Sequence, residues 1–462
     1  METRHYLFII GFVIWLPLAV GALSLHRRVA QVMLFVFVFG TLRHDAFHLQ
    51  LSFFDHSWYR GTSVGYDLSW VDFLWPALWI DDVRRHGLSS KTPKTLLLQW
   101  IFLLWCTVSV VMQEPRLFGT FELFRMLRGL GVFVTIARCV RSLEDVTTVC
   151  WAFAAIGIVE GGAALYTRSV LRHPRAEGTF LHPNTLSLYC LMVLPVTIGV
   201  WLSDARKALR SASAAAALGL VLGVLVTVSR AGLATLGLEL IGMMFAFGSL
   251  RFTWRKVVVG SLALVISLGA AWKLAGAYAA RFEREGGLAR EFENEDNSGR
   301  GRYYTLAMMM AADHPWGVGL NNWSYVVTNR YGLAIGLVYA PYVGVDERPP
   351  VRRVENVDNQ QAPPAHSLSA ITLGETGWLG LGLLALLWYG YFSMGAAFLR
   401  GRTSALVSRV GVGVFFSVFA AFMQSISEWE LRQTPLVLIS MILFAIAAAL
   451  HPARQASSAQ AA

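Results

Sequence analysis

LGLGLLALLWYGYFSMGAAF, Leu379 to Phe398, contains no charged side chain. A helix crossing the roughly 30 Å hydrocarbon core of a bilayer needs about 20 apolar residues in a row. A soluble core places no such demand on a single segment. Comparable runs recur at Tyr6 to Leu25, Leu96 to Met112, Val146 to Leu165, Ala212 to Val228 and Val257 to Ala275. Composition points the same way: 55% of the 462 residues are hydrophobic and 15% charged, where soluble proteins carry about 25% charged residues. The mean hydropathy is +0.51. The chain therefore reads as an all-α integral membrane protein.

Along the rest of the chain, apolar runs predict helices at 5–25, 29–43, 66–80, 95–112, 118–137, 146–166, 185–203, 212–228, 231–249, 256–276, 368–398, 408–425 and 435–450, about 12–13 spans. The first has a weak basic flank and no Ala-x-Ala site after it, so it reads as a retained helix rather than a signal peptide. The net charge of +10 would suggest nucleic-acid binding in a soluble protein. Here the basic residues sit in short connectors, which is a topology signal, and no nucleic-acid partner is expected. Arg84, Arg85, Lys91 and Lys94 form one set; Arg206, Lys207 and Arg210 a second; Arg251, Arg255 and Lys256 a third; Arg400, Arg402 and Arg409 a fourth. All four fall on one side, the cytoplasmic one, and the N-terminus is then expected outside unless one early segment fails to span. Cys106, Cys139, Cys150 and Cys190 lie in or beside apolar segments without metal-ligand or CxxC spacing and read as inert core residues.

The segments divide as membrane helices over 1–276, a large external loop over 277–366, C-terminal membrane helices over 367–450 and a disordered tail over 451–462. The loop holds nine Arg, no Lys and eleven acidic residues. Arg302 to Ala312 and Asn321 to Tyr331 within it look helical, so the loop is expected to be partly ordered and functional.

Three places could carry chemistry. Arg230, in Ser229-Arg230-Ala231-Gly232-Leu233, occupies a tight turn between two apolar segments on the loop's side. It is either a snorkelling helix-end arginine or an anion ligand. Ser298-Gly299-Arg300-Gly301-Arg302-Tyr303-Tyr304 brackets a helix start with two arginines, where forked guanidiniums and free amides both favour phosphate. A solvated surface loop is the plainer alternative. The same stretch leads to His314-Pro315-Trp316-Gly317-Val318-Gly319, which is too short for a nucleotide fingerprint and reads as a turn. Finally, His366 closes the loop, with Glu375 nine residues on. It is either interfacial filler or a proton acceptor near neutral pH.

Taken in order, the Ser-Arg-Ala-Gly turn, the Ser-Gly-Arg lead-in, the His-Pro-x-Gly-x-Gly continuation, the loop-closing His366 with Glu375 and the Gly377-x-x-Gly380-Leu381 that follows resemble the O-antigen ligase and O-antigen polymerase superfamily. Gly178-Thr179-Phe180-x-His182-Pro183-Asn184 resembles a segment many members carry. The likeness covers about 178–381, and the ordered set rather than any one motif carries it. It implies a GT-C-like, multi-pass protein of the bacterial inner membrane with a periplasmic active site. The donor would be a glycan on undecaprenyl pyrophosphate, and the acceptor a sugar hydroxyl on the lipid A core or on another lipid-linked glycan. No metal or nucleotide cofactor would be needed. By the same likeness Arg230 and Arg300 match pyrophosphate-binding arginines, and His366 matches the loop histidine proposed as base. Arg302, His182, Asn184, Glu375 and Arg175 are supporting candidates. Relatives that glycosylate proteins share these motifs.

Some features stay outside this likeness. Arg168, Arg172 and Arg175 lie on the external side against the charge rule, so either the topology differs there or the arginines serve a lipid phosphate or an anionic glycan, with headgroup contact favoured over a catalytic role. Glu122, Arg125 and Arg128 share one helix face and read most simply as an internal ion pair. His44-Asp45-Ala46-Phe47-His48 has the i, i+4 spacing of a zinc-binding helix, with Asp55 and His56 nearby but no clear third ligand. It keeps a membrane metalloprotease open as a distant alternative. A transporter is another, opposed by the missing inverted repeat.

Overall fold

The computed structural model describes residues 3–43, 50–88, 94–247, 276, 301–337, 339, 361–400, 403 and 405–461. Outside the described residues lie His44, Asp45 and His48, Arg300 with its Ser298-Gly299 lead-in, and the expected span 256–276 apart from its last residue. The helices are α1 (Thr3–Leu25), α2 (Arg27–Gly40), α3 (Trp75–His86), α4 (Lys94–Met112), α5 (Arg116–Cys139), α6 (Leu143–Ser169), α7 (Pro183–Trp201), α8 (Lys207–Val226), α9 (Arg230–Phe247), α10 (Gly301–Asp313), α11 (Leu368–Leu399), α12 (Leu406–Ser427) and α13 (Thr434–Ala461). Among the described residues, nine are long and apolar enough to cross a membrane, namely all of these except α2, α3, α5 and α10. The protein is a multi-pass α-helical membrane protein.

Tight connectors at 113–115, 140–142, 202–206, 227–229 and 428–433 make successive helices antiparallel. The N-termini of α7, α9, α11 and α13 and the C-termini of α4, α6, α8 and α12 therefore meet at one end of the bundle. The connectors bearing Arg84, Arg85, Arg206, Lys207, Arg210 and Arg400 lie at the other. The central post is α7, 89% of whose spanning window is buried. Beside it α6 and α8 pack backbone to backbone: a Cβ on Gly161 would stand 2.5 Å from the Cα of Gly219. Lipid gives helices no hydrophobic reason to associate, so close packing across small residues supplies it.

The expected helix at 66–80 is not formed as such. Tyr66–Leu68 is strand β2, paired antiparallel with β1 (Leu51–Phe53), Trp70–Phe73 is a 3-10 turn, and α3 begins only at Trp75. Polar chemistry decides this. Asp72 accepts from the Ser69 amide (2.7 Å), and Pro76 suits the first helical turn. Asp72 also receives Nε of Arg128 at 2.6 Å. The run packs on α5, with Trp75 against Gly131. The three charges singled out on α5 resolve into two buried pairs, Glu122 with Arg125 and Arg128 with Asp72, and Arg138 makes a third with Asp82. Thr62 adds a hydroxyl to Glu122 at 2.9 Å and a carbonyl to Arg125 at 2.7 Å. The internal-pair reading thus holds for Glu122 and Arg125, with Arg128 paired elsewhere. The tail, expected as disordered from 451, continues α13 to Ala461. Its Ala, Gln and Arg residues are good helix formers.

Candidate functional site

The site is organised by the connector between α12 and α13, Glu428-Trp429-Glu430-Leu431-Arg432-Gln433. The backbone leaves α12 at Glu428 in an extended conformation (φ −145°) and makes a 3-10 turn over Glu430–Arg432. Two carboxylates and one guanidinium are thereby turned into the bundle: Glu428, Glu430 and Arg432 are all buried. Buried charges need partners; Glu428 and Glu430 find theirs at the starts of α7 and α11, and Arg432 finds Glu375 within α11.

Glu428 takes His366 and Asn184. The His366 Nδ1 lies 3.0 Å from its Oε2, and Asn184 Nδ2 donates to its Oε1 at 2.8 Å. Asn184 Oδ1 accepts from Arg175 Nη2 at 2.6 Å, and Arg175 Nε donates to the Thr227 carbonyl at 2.9 Å. Thr227 caps α8, two residues before the turn residue Ser229, and Arg230 opens α9, half-buried. The 35% exposed His366 side chain has no partner on Nε2 among the described residues. A lone pair facing accessible space beside an oriented carboxylate is what a general base requires.

Glu430 takes His182, the N-cap of α7. His182 Nδ1 is 3.2 Å from Glu430 Oε1 and 3.3 Å from the Asn184 amide N–H. Unprotonated, Nδ1 caps the helix and accepts from a proton-bearing Glu430. Protonated, it donates to the carboxylate and gives up the cap. Burial pushes the Glu430 carboxyl up to about 7, opposed by the His182 hydrogen bond and reinforced by the Glu428 charge. A raised carboxyl binds its proton more tightly in the folded chain. The stabilisation is therefore complete below about pH 4.5, its ordinary value, and is lost as pH rises through about 7. Glu430→Gln, a permanent mimic of the protonated form, is expected to flatten the fall in melting temperature between pH 5 and 8. Parallel wild-type and variant melts in detergent would count against a proton on Glu430.

Arg432 takes Glu375, Nη1 to Oε2 at 2.5 Å. Glu375 is 1% exposed, and its Oε1 also accepts from the Trp323 amide at 3.3 Å. It braces the turn and does not face the accessible space beside His366. The His314-to-Gly319 stretch packs at the same level. Val318 and Gly319 donate to the carbonyls of Gly374 (3.0 Å) and Glu375 (2.9 Å), and Trp378 donates back to Pro315 at 3.2 Å. This close backbone contact coincides with a kink at Gly377, whose φ is +69°. A Cβ on Gly317 (φ +91°) would lie 2.3 Å from the Glu375 carbonyl, so the glycines serve contact between backbones.

That strap seats α10 on α11 through Tyr303, Leu306 and Met310. The Tyr303 ring stands 5.6 Å from the His366 ring, and the Arg302 guanidinium lies over Tyr303 at 5.0 Å. The Ser367 hydroxyl donates to the Tyr304 hydroxyl at 2.9 Å.

Of the residues singled out from sequence, the structure brings together His366, Arg175, Asn184 and His182, with Arg302 reaching the group through Tyr303. Arg230 stands next to the turn that Arg175 binds. Arg300 lies outside the described residues. Arg175 turns inward to Asn184, whereas Arg168 bonds the carbonyls of His173 and Pro174 in its own loop. Sequence reasoning missed Glu428, Glu430 and Arg432. Their signal was an acid, acid, basic pattern at alternate positions in a short connector between two apolar helices, away from the basic end. Among the described residues, no group of three or more His, Cys, Asp or Glu side chains is arranged to hold a metal. His56 packs with Phe118 and Phe121. No known family model matches this chain, and no curated protein matches it.

Proposed function

We propose that this protein is a glycosyltransferase of the O-antigen ligase and polymerase type, GT-C-like in fold. It would transfer a glycan from undecaprenyl pyrophosphate to a sugar hydroxyl at the periplasmic face of a bacterial inner membrane. The observation that carries the reading is the His366–Glu428 pair, a partly exposed imidazole held by a buried carboxylate through Nδ1, at the end of the bundle opposite the basic connectors. In this reading Nε2 takes the proton of the acceptor hydroxyl as that oxygen bonds the anomeric carbon. The anomeric carbon–oxygen bond breaks, and its electron pair goes to the pyrophosphate. Arg230, Arg300 and Arg302 meet the charge that grows there, and fixed cations stabilise that transition state more than the ground state. A largely apolar cavity of about 170 Å³ is lined by Leu368, Thr372, Leu387, Trp388 and Phe444, with the charged side chains Glu122, Arg125 and Arg432 also at its wall. It suits part of an isoprenoid chain. The donor is already energised, so the step needs no nucleotide or metal.

Surface and lipid-linked glycan from a strain lacking the protein tests this. Collapse of a long ladder to single repeat units identifies a polymerase. Accumulation of lipid-linked polymer with a bare lipid A core identifies a ligase. Unchanged glycan with loss of protein glycosylation moves the assignment to the protein-modifying branch, and no change in any glycan removes it.

A further inference from the structure

We propose that Arg175 sets the proton position on His366, acting through Asn184 and Glu428, so that Nδ1 carries the hydrogen and Nε2 presents its lone pair. The inference rests on the proposed base role of His366 and assigns three positioning residues to it.

The argument comes from which atoms can only donate and which can only accept. Arg175 is a guanidinium and donates from every nitrogen. Its Nη2, 2.6 Å from the Asn184 side chain, must therefore face the amide oxygen. That fixes the orientation of the amide, which heavy-atom positions alone leave ambiguous. The Asn184 NH2 is then directed at Glu428, 2.8 Å away, and can only donate. Donation from Asn184 favours the ionised carboxylate over the acid. An ionised Glu428 only accepts, so the His366 nitrogen 3.0 Å from Oε2 must bear its hydrogen. The neutral imidazole then has one acceptor nitrogen, Nε2, on a side chain that is 35% exposed. The first two links run in one direction because Arg175 cannot accept, and the third because the Glu428 carboxylate is ionised. Arg175 is itself anchored by Nε on the Thr227 carbonyl, so the direction of the chain is set from the α8–α9 turn.

Glu428→Gln keeps the shape and reverses the outcome. Asn184 still presents NH2, so the new side chain must turn its oxygen towards Asn184. Its own NH2 then faces His366 Nδ1, which becomes the acceptor, and the hydrogen moves to Nε2. A base without a lone pair cannot take the acceptor proton, and a mis-set imidazole tautomer costs serine hydrolases about 10⁴-fold in kcat. Adding Asn184→Asp restores the order. The introduced aspartate accepts from Arg175 with one oxygen and from the glutamine NH2 with the other. The glutamine oxygen is then left to accept from Nδ1–H. The double variant has the same charge and nearly the same shape as wild type.

The test uses full-length protein labelled with 15N-histidine in lipid bilayers at pH 8. The His366 signals are identified by their loss in His366→Gln. The expected result is the Nδ1–H tautomer in wild type, the Nε2–H tautomer in Glu428→Gln and Nδ1–H again in Asn184→Asp/Glu428→Gln. Transfer of a lipid-linked glycan is expected to lose roughly 10²–10⁴-fold in kcat in the single variant, with KM little changed. It should return to within about tenfold of wild type in the double variant. A wild-type Nε2–H tautomer, an unmoved tautomer in Glu428→Gln, or a double variant that stays in the single variant's tautomer each overturns the proposal. Tautomers that follow the expected order in a protein that transfers no glycan uphold the hydrogen-bond chain and remove the transferase reading. Active wild-type protein with the wrong tautomer removes only the chain.

Discussion

His366→Ala is expected to transfer glycan roughly 10²–10⁴-fold more slowly than wild type, the range general-base assistance supplies, while the protein folds and inserts as before. The structural cost is small because the side chain is 35% exposed, so water can reach Glu428 Oε2 once the ring is gone. Glu428 also keeps its bond from Asn184. The loss should fall on kcat rather than KM, since the ring acts on the proton in flight and not on donor binding. Single-turnover transfer with a purified lipid-linked donor measures it, with the melting temperature as the control for folding. Transfer within about threefold of wild type would exclude His366 as the base, since general-base help is worth far more than that. The lone pair on Nε2 would then need another assignment.

Glu375→Ala carries the largest expected stability effect. Its carboxylate and Arg432 form a pair whose side chains are 1% and 9% exposed. Removing one member of a buried pair leaves an uncompensated charge, at a cost of about 3–5 kcal/mol. The other contact of Arg432, to the Thr372 hydroxyl at 3.5 Å, is too long to replace it. The change also releases the Trp323 amide. The turn carrying Glu428 and Glu430 should loosen with it, and transfer should fall because the turn is misplaced. The contrast is Glu375→Leu combined with Arg432→Met. Replacing both charges by apolar side chains of similar size is often neutral or stabilising, so the double variant should recover most of the melting temperature. A double variant as unstable as Glu375→Ala would mean that the two residues act separately. Recovery of glycan transfer along with the melting temperature in the double variant separates bracing from catalysis, since a catalytic carboxylate could not be replaced by leucine.

The class of the molecule was legible in the sequence because a bilayer imposes one simple requirement. Every backbone amide in hydrocarbon must bond within its own segment, so spanning helices announce themselves as apolar runs, and α11 is readable from Leu379 to Phe398 alone. The same rule misled at 66–80, where apolar residues pack on the charged face of α5 and the chain never needs to span as one helix. His366 and Arg175 were legible as individual residues, a loop-closing histidine and an arginine against the charge rule, whereas His182 and Asn184 were picked out only through the resemblance of their segment to the O-antigen ligase and polymerase superfamily. The mutual geometry of the four was not legible. Residues 175–184, 366 and 428–430 are separated by whole helices. Hydropathy fixes where each helix ends but says nothing about which ends become neighbours. That depends on packing, on α7 buried at the centre and α6 against α8 through Gly161 and Gly219, and packing places the Glu428-to-Arg432 turn over the starts of α7 and α11 at once. Residue order alone was enough for a multi-pass helical protein with its polar residues gathered at helix ends. The pairing of Glu428 with His366 and of Glu375 with Arg432 came from the packed bundle, because buried charges pair with whatever packing brings within hydrogen-bond reach, and no local pattern encodes that.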